Sequence, residues 1–243
     1  MLQRIEFVGP DTPFFSATGK LCQAAVCRLN AVGDPVTTLV MFSGGMDSTA
    51  MLLQLLTQTV DELRVHHVHM VNLEGRAEAE RVAVERIVEV CRRRYRPFRY
   101  SESALDFSGL EAIPIDWMAI AYVACQVAID TPRCDRIAVG ALATDTDIVN
   151  RCARQRRLFE AMYECYRARK LGEPRIEWVY PVYETPKAAL AALLPPELLD
   201  LTWSCRTPVR TTTGFLACGT CKACRARAGV DAPHLSDPGE VTG

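Results

Sequence analysis

Long hydrophobic runs are missing from this chain: no apolar stretch approaches the roughly 18 residues needed to cross a bilayer. The N-terminus lacks the basic-then-apolar order of a secretory signal. A cytoplasmic protein is therefore expected, with no membrane partner. An excess of positive charge is missing too. The formal net charge of −1 argues against a generally basic nucleic-acid binder, though not against a local basic patch. Internal repeats and low-complexity tracts are absent. So are two familiar phosphate-binding patterns, G-x-x-x-x-G-K-S/T and G-x-G-x-x-G.

What is present is a chain of 243 residues, 49% hydrophobic and 23% charged, ordinary values for a globular protein. That length allows one large α/β domain, or one domain with a small appendage. Residues 36–42 are short, apolar and β-branched, and read as a buried strand. Ser43-Gly44-Gly45-Met46-Asp47-Ser48 follows at once, then residues 49–56 with good helix formers. Strand, glycine turn and helix together place backbone N–H groups and a helix N-terminus against a phosphate. The two glycines let the main chain approach an anion. Ser43 and Ser48 offer hydroxyl donors. Asp47 suits an anion site only with a cation between, and reads as a Mg²⁺ contact, direct or through water. The plain alternative is a strand-to-helix turn whose Ser or Asp caps the helix.

Further along, residues 63–71 read as a second strand, with His67 and His69 on one face at period two. They read as ordinary strand histidines, with a metal pair as the sharper alternative. Residues 72–76 end that strand at the edge where open parallel sheets bind ligands. Residues 76–94 form an amphipathic helix and 97–101 a third strand. A loop over 103–113 and a helix over 115–129, apolar nearly all round and hence buried, come next. Residues 135–140 form a fourth strand with a polar turn through Thr144 and Asp145, 150–170 a long helix, and 177–182 a fifth strand. A helix then starts near Pro186 and Lys187, with Pro in the first turn. The alternation argues for a doubly wound parallel sheet. Before it, residues 4–8 could be a strand and 20–30 a strand or short helix, with a turn at 33–35.

Eleven cysteines is a high count for a reducing compartment, where clustering favours metal over disulfides. Seven are scattered and read as thiols of no special role. The other four form Cys205-x₁₂-Cys218-x₂-Cys221-x₂-Cys224. Four thiolates suit a closed, structural, tetrahedral Zn²⁺ site. Clustered Cys-x₂-Cys-x₂-Cys is also iron–sulfur spacing, but the closing Cys-x₃-Cys-Pro is missing. Arg206, Arg210, Lys222, Arg225 and Arg227 could screen the thiolates or face an anionic substrate.

The loop resembles the pyrophosphate loop, or PP-loop, of ATP pyrophosphatases, which cleave ATP between its α and β phosphates. Thr202-Trp203-Ser204-Cys205, with the run from Cys218 to Arg227, resembles the C-terminal zinc signature of the 7-cyano-7-deazaguanine synthase (QueC) family, which also carries such a loop. The order and separation of the two motifs match. The resemblance covers roughly residues 36–230. It implies an adenine-nucleotide α-hydrolase-like fold divided as an extension at 1–34, a nucleotide-binding domain at 35–200, a Cys₄ zinc subdomain at 201–232 and a loose tail at 233–243. It implies ATP and Mg²⁺ bound by Phe42, Ser43, Gly44, Gly45, Met46, Asp47, Ser48 and Gly140. Ser43, Asp47 and Ser48 would be the catalytic members, and Cys205, Cys218, Cys221 and Cys224 would hold zinc. The implied reaction converts 7-carboxy-7-deazaguanine and ammonia to the nitrile through adenylated intermediates. Direct nucleic-acid binding is not expected, and a homodimer is allowed. Three segments depart from the family: residues 72–78, 114–117 and 151–154, each where the acceptor should bind. They open the way to a member that stops at the amide or uses another acceptor, to a PP-loop tRNA-modifying enzyme, or to a nucleotide-binding module without turnover.

Overall fold

The computed structural model describes residues 36–143, 148–168 and 175–231. The expectations for the segment 1–34, for Thr144 and Asp145 and for the tail lie outside them. The core is a parallel sheet of β1 (Thr37–Phe42), β2 (Glu62–Val71), β3 (Arg99–Asp106), β4 (Cys134–Val139) and β5 (Glu177–Val179). Its spatial order is β3-β2-β1-β4-β5. The chain steps outward from β1 in one direction, then returns and steps outward in the other. The doubly wound α/β class expected from the sequence is therefore the class observed.

Helices α1 (Met46–Gln58) and α2 (Ala77–Arg94) cover one face, and α3 (Asp116–Asp130) and α4 (Ile148–Arg167) the other. The period of β1 decides which residue goes where: Val40 and Phe42 join the α1–α2 core, Leu39 and Met41 the α3–α4 core. All six residues of β1 are buried, as a central strand covered on both sides requires. On α2, Val84, Ile87, Val88 and Cys91 make the buried stripe. Helices α5 (Lys187–Leu193) and α6 (Pro196–Leu201) complete the first core through Leu190 and Leu198. A hairpin of β6 (Val209–Thr211) and β7 (Gly214–Leu216) and a last helix α7 (Lys222–Asp231) end the described chain. No helix among the described residues is long and apolar enough to cross a membrane.

Several boundaries differ from expectation. The third strand runs to Asp106 through what reads as loop, because β3 is an edge strand with alternating exposure. Its serines take the place of apolar residues: Ser101 and Ser103 Oγ lie 2.8 and 3.0 Å from the two ring nitrogens of His66. The fifth strand stops at Val179, since Tyr183 N–H turns back to Tyr180 O at 3.2 Å. Pro186 is the N-cap of α5, one position before its first turn. Helix α3 is not buried all round; Met118 and Tyr122 are exposed, while Ala121, Ala124, Cys125 and Ala128 pack inward. An outer-layer helix buries only the sides that meet the sheet and α4.

Helix α1 has no basic residue in its last turn. Arg96, from beyond α2, supplies the charge: it donates to Leu56 O and Leu55 O at 3.2 Å each and to Asp61 O at 2.6 Å. Leu55 O and Leu56 O belong to the last turn of α1, where Leu55 O also accepts from Thr59, and Asp61 lies in the connection to β2, so one guanidinium ties the helix end to the next strand. By contrast, Arg93 pairs with Glu89 in full solvent. Arg96→Ala is expected to lower unfolding free energy by about 1.5–3 kcal/mol, against less than about 0.5 kcal/mol for Arg93→Ala, measured by urea titration. Equal losses would remove Arg96 from the support of α1.

Candidate active site

The strand order reverses between β1 and β4, and the crevice above their carboxyl ends is where such sheets bind ligands. Residues 43–45 leave β1 there and enter α1. Gly44 has φ +73°, and a Cβ on it would stand 2.7 Å from Val84 Cγ2, so glycine is required twice over. Gly140, just past β4, lies against the first turn of α1. A Cβ there would come within 3.1 Å of both N and Cα of Ser48. The end of β4 and the start of α1 thus meet main chain to main chain.

The loop is tied by its own hydroxyls. Ser48 Oγ donates to Gly45 O at 3.0 Å and accepts from Ser43 N–H at 3.3 Å. Ser43 and Ser48 Oγ are 3.0 Å apart. The N-cap of α1 is Gly45, and no side chain caps the helix. The capped-turn alternative therefore does not hold, and the first turn of α1 points its amides into the turn that follows β1. Asp47 sits in that first turn, half-buried, while Met46 is a core side chain and brings only its main chain to the loop. Phe42 closes β1, and its carbonyl accepts from His67 Nδ1 at 2.8 Å.

Ser43, Ser48 and Gly140 open into a cavity of about 290 Å³. Its lining also includes residues of the segments 72–78, 114–117 and 151–154: Arg76, Asp116 with Trp117, and Arg151 with Cys152. A buried ion network underlies that lining. Arg76 donates to Glu74 and Asp116 at 2.8 Å each, and also pairs with Glu80. Arg206 donates to Glu74 at 2.5 Å and to Asp116 at 2.9 Å. Burial pushes the Glu80 carboxyl up to about 7, with the guanidinium of Arg76 opposing. Burial likewise holds His67 down to about 4, so its ring is neutral. His67 and His69 do share a face, with ring centroids 4.5 Å apart and edge to face. Among the described residues the one cluster of three or more groups suited to a metal is the cysteine set.

The Sγ atoms of Cys205, Cys218, Cys221 and Cys224 all lie within 4.8 Å of one another. One ion with Zn–S bonds of about 2.3 Å fits inside such a set; a four-iron cluster, with an iron on each thiolate, spreads its sulfurs further apart. Cys218 accepts from Thr207 Oγ1 at 3.2 Å and from Cys221 N–H at 3.3 Å. These bonds bring its thiol down to about 5, toward the thiolate a metal needs. The set also touches the loop: Trp203 N–H donates to Gly44 O at 2.9 Å, and its indole donates to Cys205 O at 3.0 Å.

No family model and no curated protein matches the chain. Among solved structures it is similar to the U34-tRNA thiolase NcsA from Methanococcus maripaludis, solved with its 4Fe-4S cluster. The identity is 17% and the TM-score 0.48, over 75% of this chain and 63% of that one. The chain therefore spans less than two thirds of that protein's length, and similarity at this level assigns no function.

Sequence reasoning placed the loop, Gly140 and the four cysteines, and the structure brings the first two together with the cavity. It flagged Asp116 only as part of the segment 114–117, and it did not find Glu80 or His67 as cavity residues. Arg76 and Glu80 at helical spacing were the available signal. The arginines around the cysteines mostly do other work than screening thiolates. Arg206 faces the carboxylates, Arg210 lies 4.9 Å over Phe215, Arg225 reaches Thr220 O, and Arg227 donates to Leu199 O at 3.0 Å. Of the scattered cysteines, Cys91, Cys125, Cys134 and Cys152 are buried and Cys165 is exposed, while positions 22 and 27 lie outside the described residues.

Glu80 gives the site a pH signature. Its proton is held more tightly in the folded chain, at about 7, than at the ordinary 4.5. Its contribution to stability is therefore full below the lower value and is lost as pH rises through the upper one. Glu80→Gln should flatten the fall of unfolding free energy across that window in urea titrations. An unchanged slope would deny the shift.

Proposed function

We propose that the chain is an ATP-dependent carbon–nitrogen ligase of the PP-loop class. In this reading it converts 7-carboxy-7-deazaguanine and ammonia to 7-cyano-7-deazaguanine, releasing AMP and pyrophosphate. One observation carries it: the loop with uncapped first-turn amides opens into the same cavity as the segments that should hold the acceptor. The loop amides and the hydroxyls of Ser43 and Ser48 bind the leaving pyrophosphate. Asp47, in the first turn of α1, would hold Mg²⁺, which would supply charge neutralisation at the phosphates. Gly140 lets the nucleotide lie against the strand ends.

The acceptor's carboxylate oxygen attacks the α-phosphorus, and the bond to pyrophosphate breaks. The acyl adenylate so formed is attacked at carbon by ammonia, and AMP departs with the former carboxylate oxygen. Glu80, with a pKa near neutrality, is matched to the proton the nitrogen sheds. A second ATP then adenylates the amide oxygen, whose loss as AMP leaves the nitrile. For the rest, the protein positions the reactants.

A small planar base suits the cavity better than an RNA backbone. Arg76 and Arg206 direct their donors to Glu74, Glu80 and Asp116, so the wall they form is not a phosphate-binding surface. The cysteine set would hold Zn²⁺ as a closed structural site. Metal analysis is expected to find one zinc per chain; iron with visible absorbance would overturn the assignment. Asp47→Ala should abolish AMP formation with the circular dichroism spectrum unchanged.

The deciding experiment is mass spectrometry of protein incubated with ATP, Mg²⁺, ammonium and 7-carboxy-7-deazaguanine. Nitrile with AMP is the expected result. Amide as the end product would make this a one-step amidating enzyme. ATP left intact would overturn the ligase reading.

A further inference from the structure

Two buried acceptors of the cavity wall are left without partners. Asp116 begins α3, yet its side chain does not cap that helix. It turns to the arginines, and all of its donors arrive at one oxygen: Oδ2 accepts from Arg76 at 2.8 Å and from Arg206 at 2.9 Å. Oδ1 is buried and accepts no hydrogen bond. The second acceptor is His67, 1% exposed. Its Nδ1 faces a carbonyl, which can only accept, so Nδ1 carries the proton and Nε2 is a bare lone pair. Nε2 is also buried and without a partner. Both residues line the cavity.

Buried acceptors without donors are unfavourable until something supplies N–H groups. The cavity is also lined by Met41, Val68, Met70 and Ile120, apolar surface that suits the face of a planar ring. We infer that Asp116 Oδ1 and His67 Nε2 form a specificity subsite that reads the N–H edge of a planar heterocycle. The ligand class is a fused pyrimidine with an exocyclic amino group beside a ring N–H, one hydrogen bond going to each acceptor. This deepens the ligase reading and rests on it for the identity of the ring. The acidic end of the cavity takes the amino edge, which leaves the carboxylate edge of the ring toward the loop and the α-phosphorus.

Such a site discriminates chiefly through what it leaves unpaired. An analogue lacking the exocyclic amino group strands at least one buried acceptor. The test is calorimetric binding, without ATP, of 7-carboxy-7-deazaguanine and of its 2-deamino analogue to the zinc-loaded wild-type protein. Binding of the analogue weaker by about tenfold or more is expected, since hydrogen-bonding sites reject ligands that lack the partner. Alongside it, the ¹⁵N resonance of His67 Nε2 should shift on binding of the amino ligand. In Asp116→Asn, the amide keeps the shape while Oδ1 loses its charge, and the preference should shrink. Equal binding of the two ligands by wild type overturns the subsite, and so does failure of both to bind. Product formation without discrimination would leave the ligase reading standing and this inference refuted. Discrimination without AMP formation would do the reverse.

Discussion

Two guanidiniums and three carboxylates, largely withdrawn from water, hold the active crevice in shape. Arg76 and Arg206 each reach both Glu74 and Asp116, so the end of β2, the start of α2, the start of α3 and the segment after Cys205 converge on one set of charges. Such a network is not a strong source of stability, because desolvation offsets most of the attraction. Its value lies in geometry. Removing any one member strands a buried charge, so the segments are obliged to stay together.

The fold was legible because the sequence obeys the two periodicities cleanly where burial is two-sided. Residues of β1 and α2 could be assigned from pattern alone, to within a residue or two. Legibility failed where packing is one-sided. Strand β3 carries serines that hydrogen-bond His66 instead of packing, and α6 and the β6–β7 hairpin are too short to show a period. The exposed Met118 and Tyr122 on α3 read as core because apolar composition says nothing of which side has a neighbour.

The site was legible in proportion to how local its chemistry is. The turn from Ser43 to Ser48 and the set Cys218, Cys221 and Cys224 are contiguous or nearly so, and their residue types announce themselves. The charged lining is assembled from Arg76 and Glu80 at the start of α2, Asp116 on α3 and Arg206 far along the chain, and only the first two are linked by a spacing visible in the sequence. Glu80 would have been read as a solvated helix glutamate, since only the fold reveals that water is excluded around it. His67 was read as a strand histidine. It is that, but the carbonyl of Phe42 fixes its tautomer and gives it a definite polarity.

The bond from Trp203 N–H to Gly44 O joins the beginning of the described chain to a point near its end. During synthesis the N-terminal side emerges and folds first. The sheet and its helices can therefore be in place while the loop still lacks its last anchor. That anchor arrives only with the segment that also carries Cys205, so completion of the crevice waits on residues made long after the loop itself. A chain cut short before Trp203 would present a formed scaffold with an unanchored turn between β1 and α1.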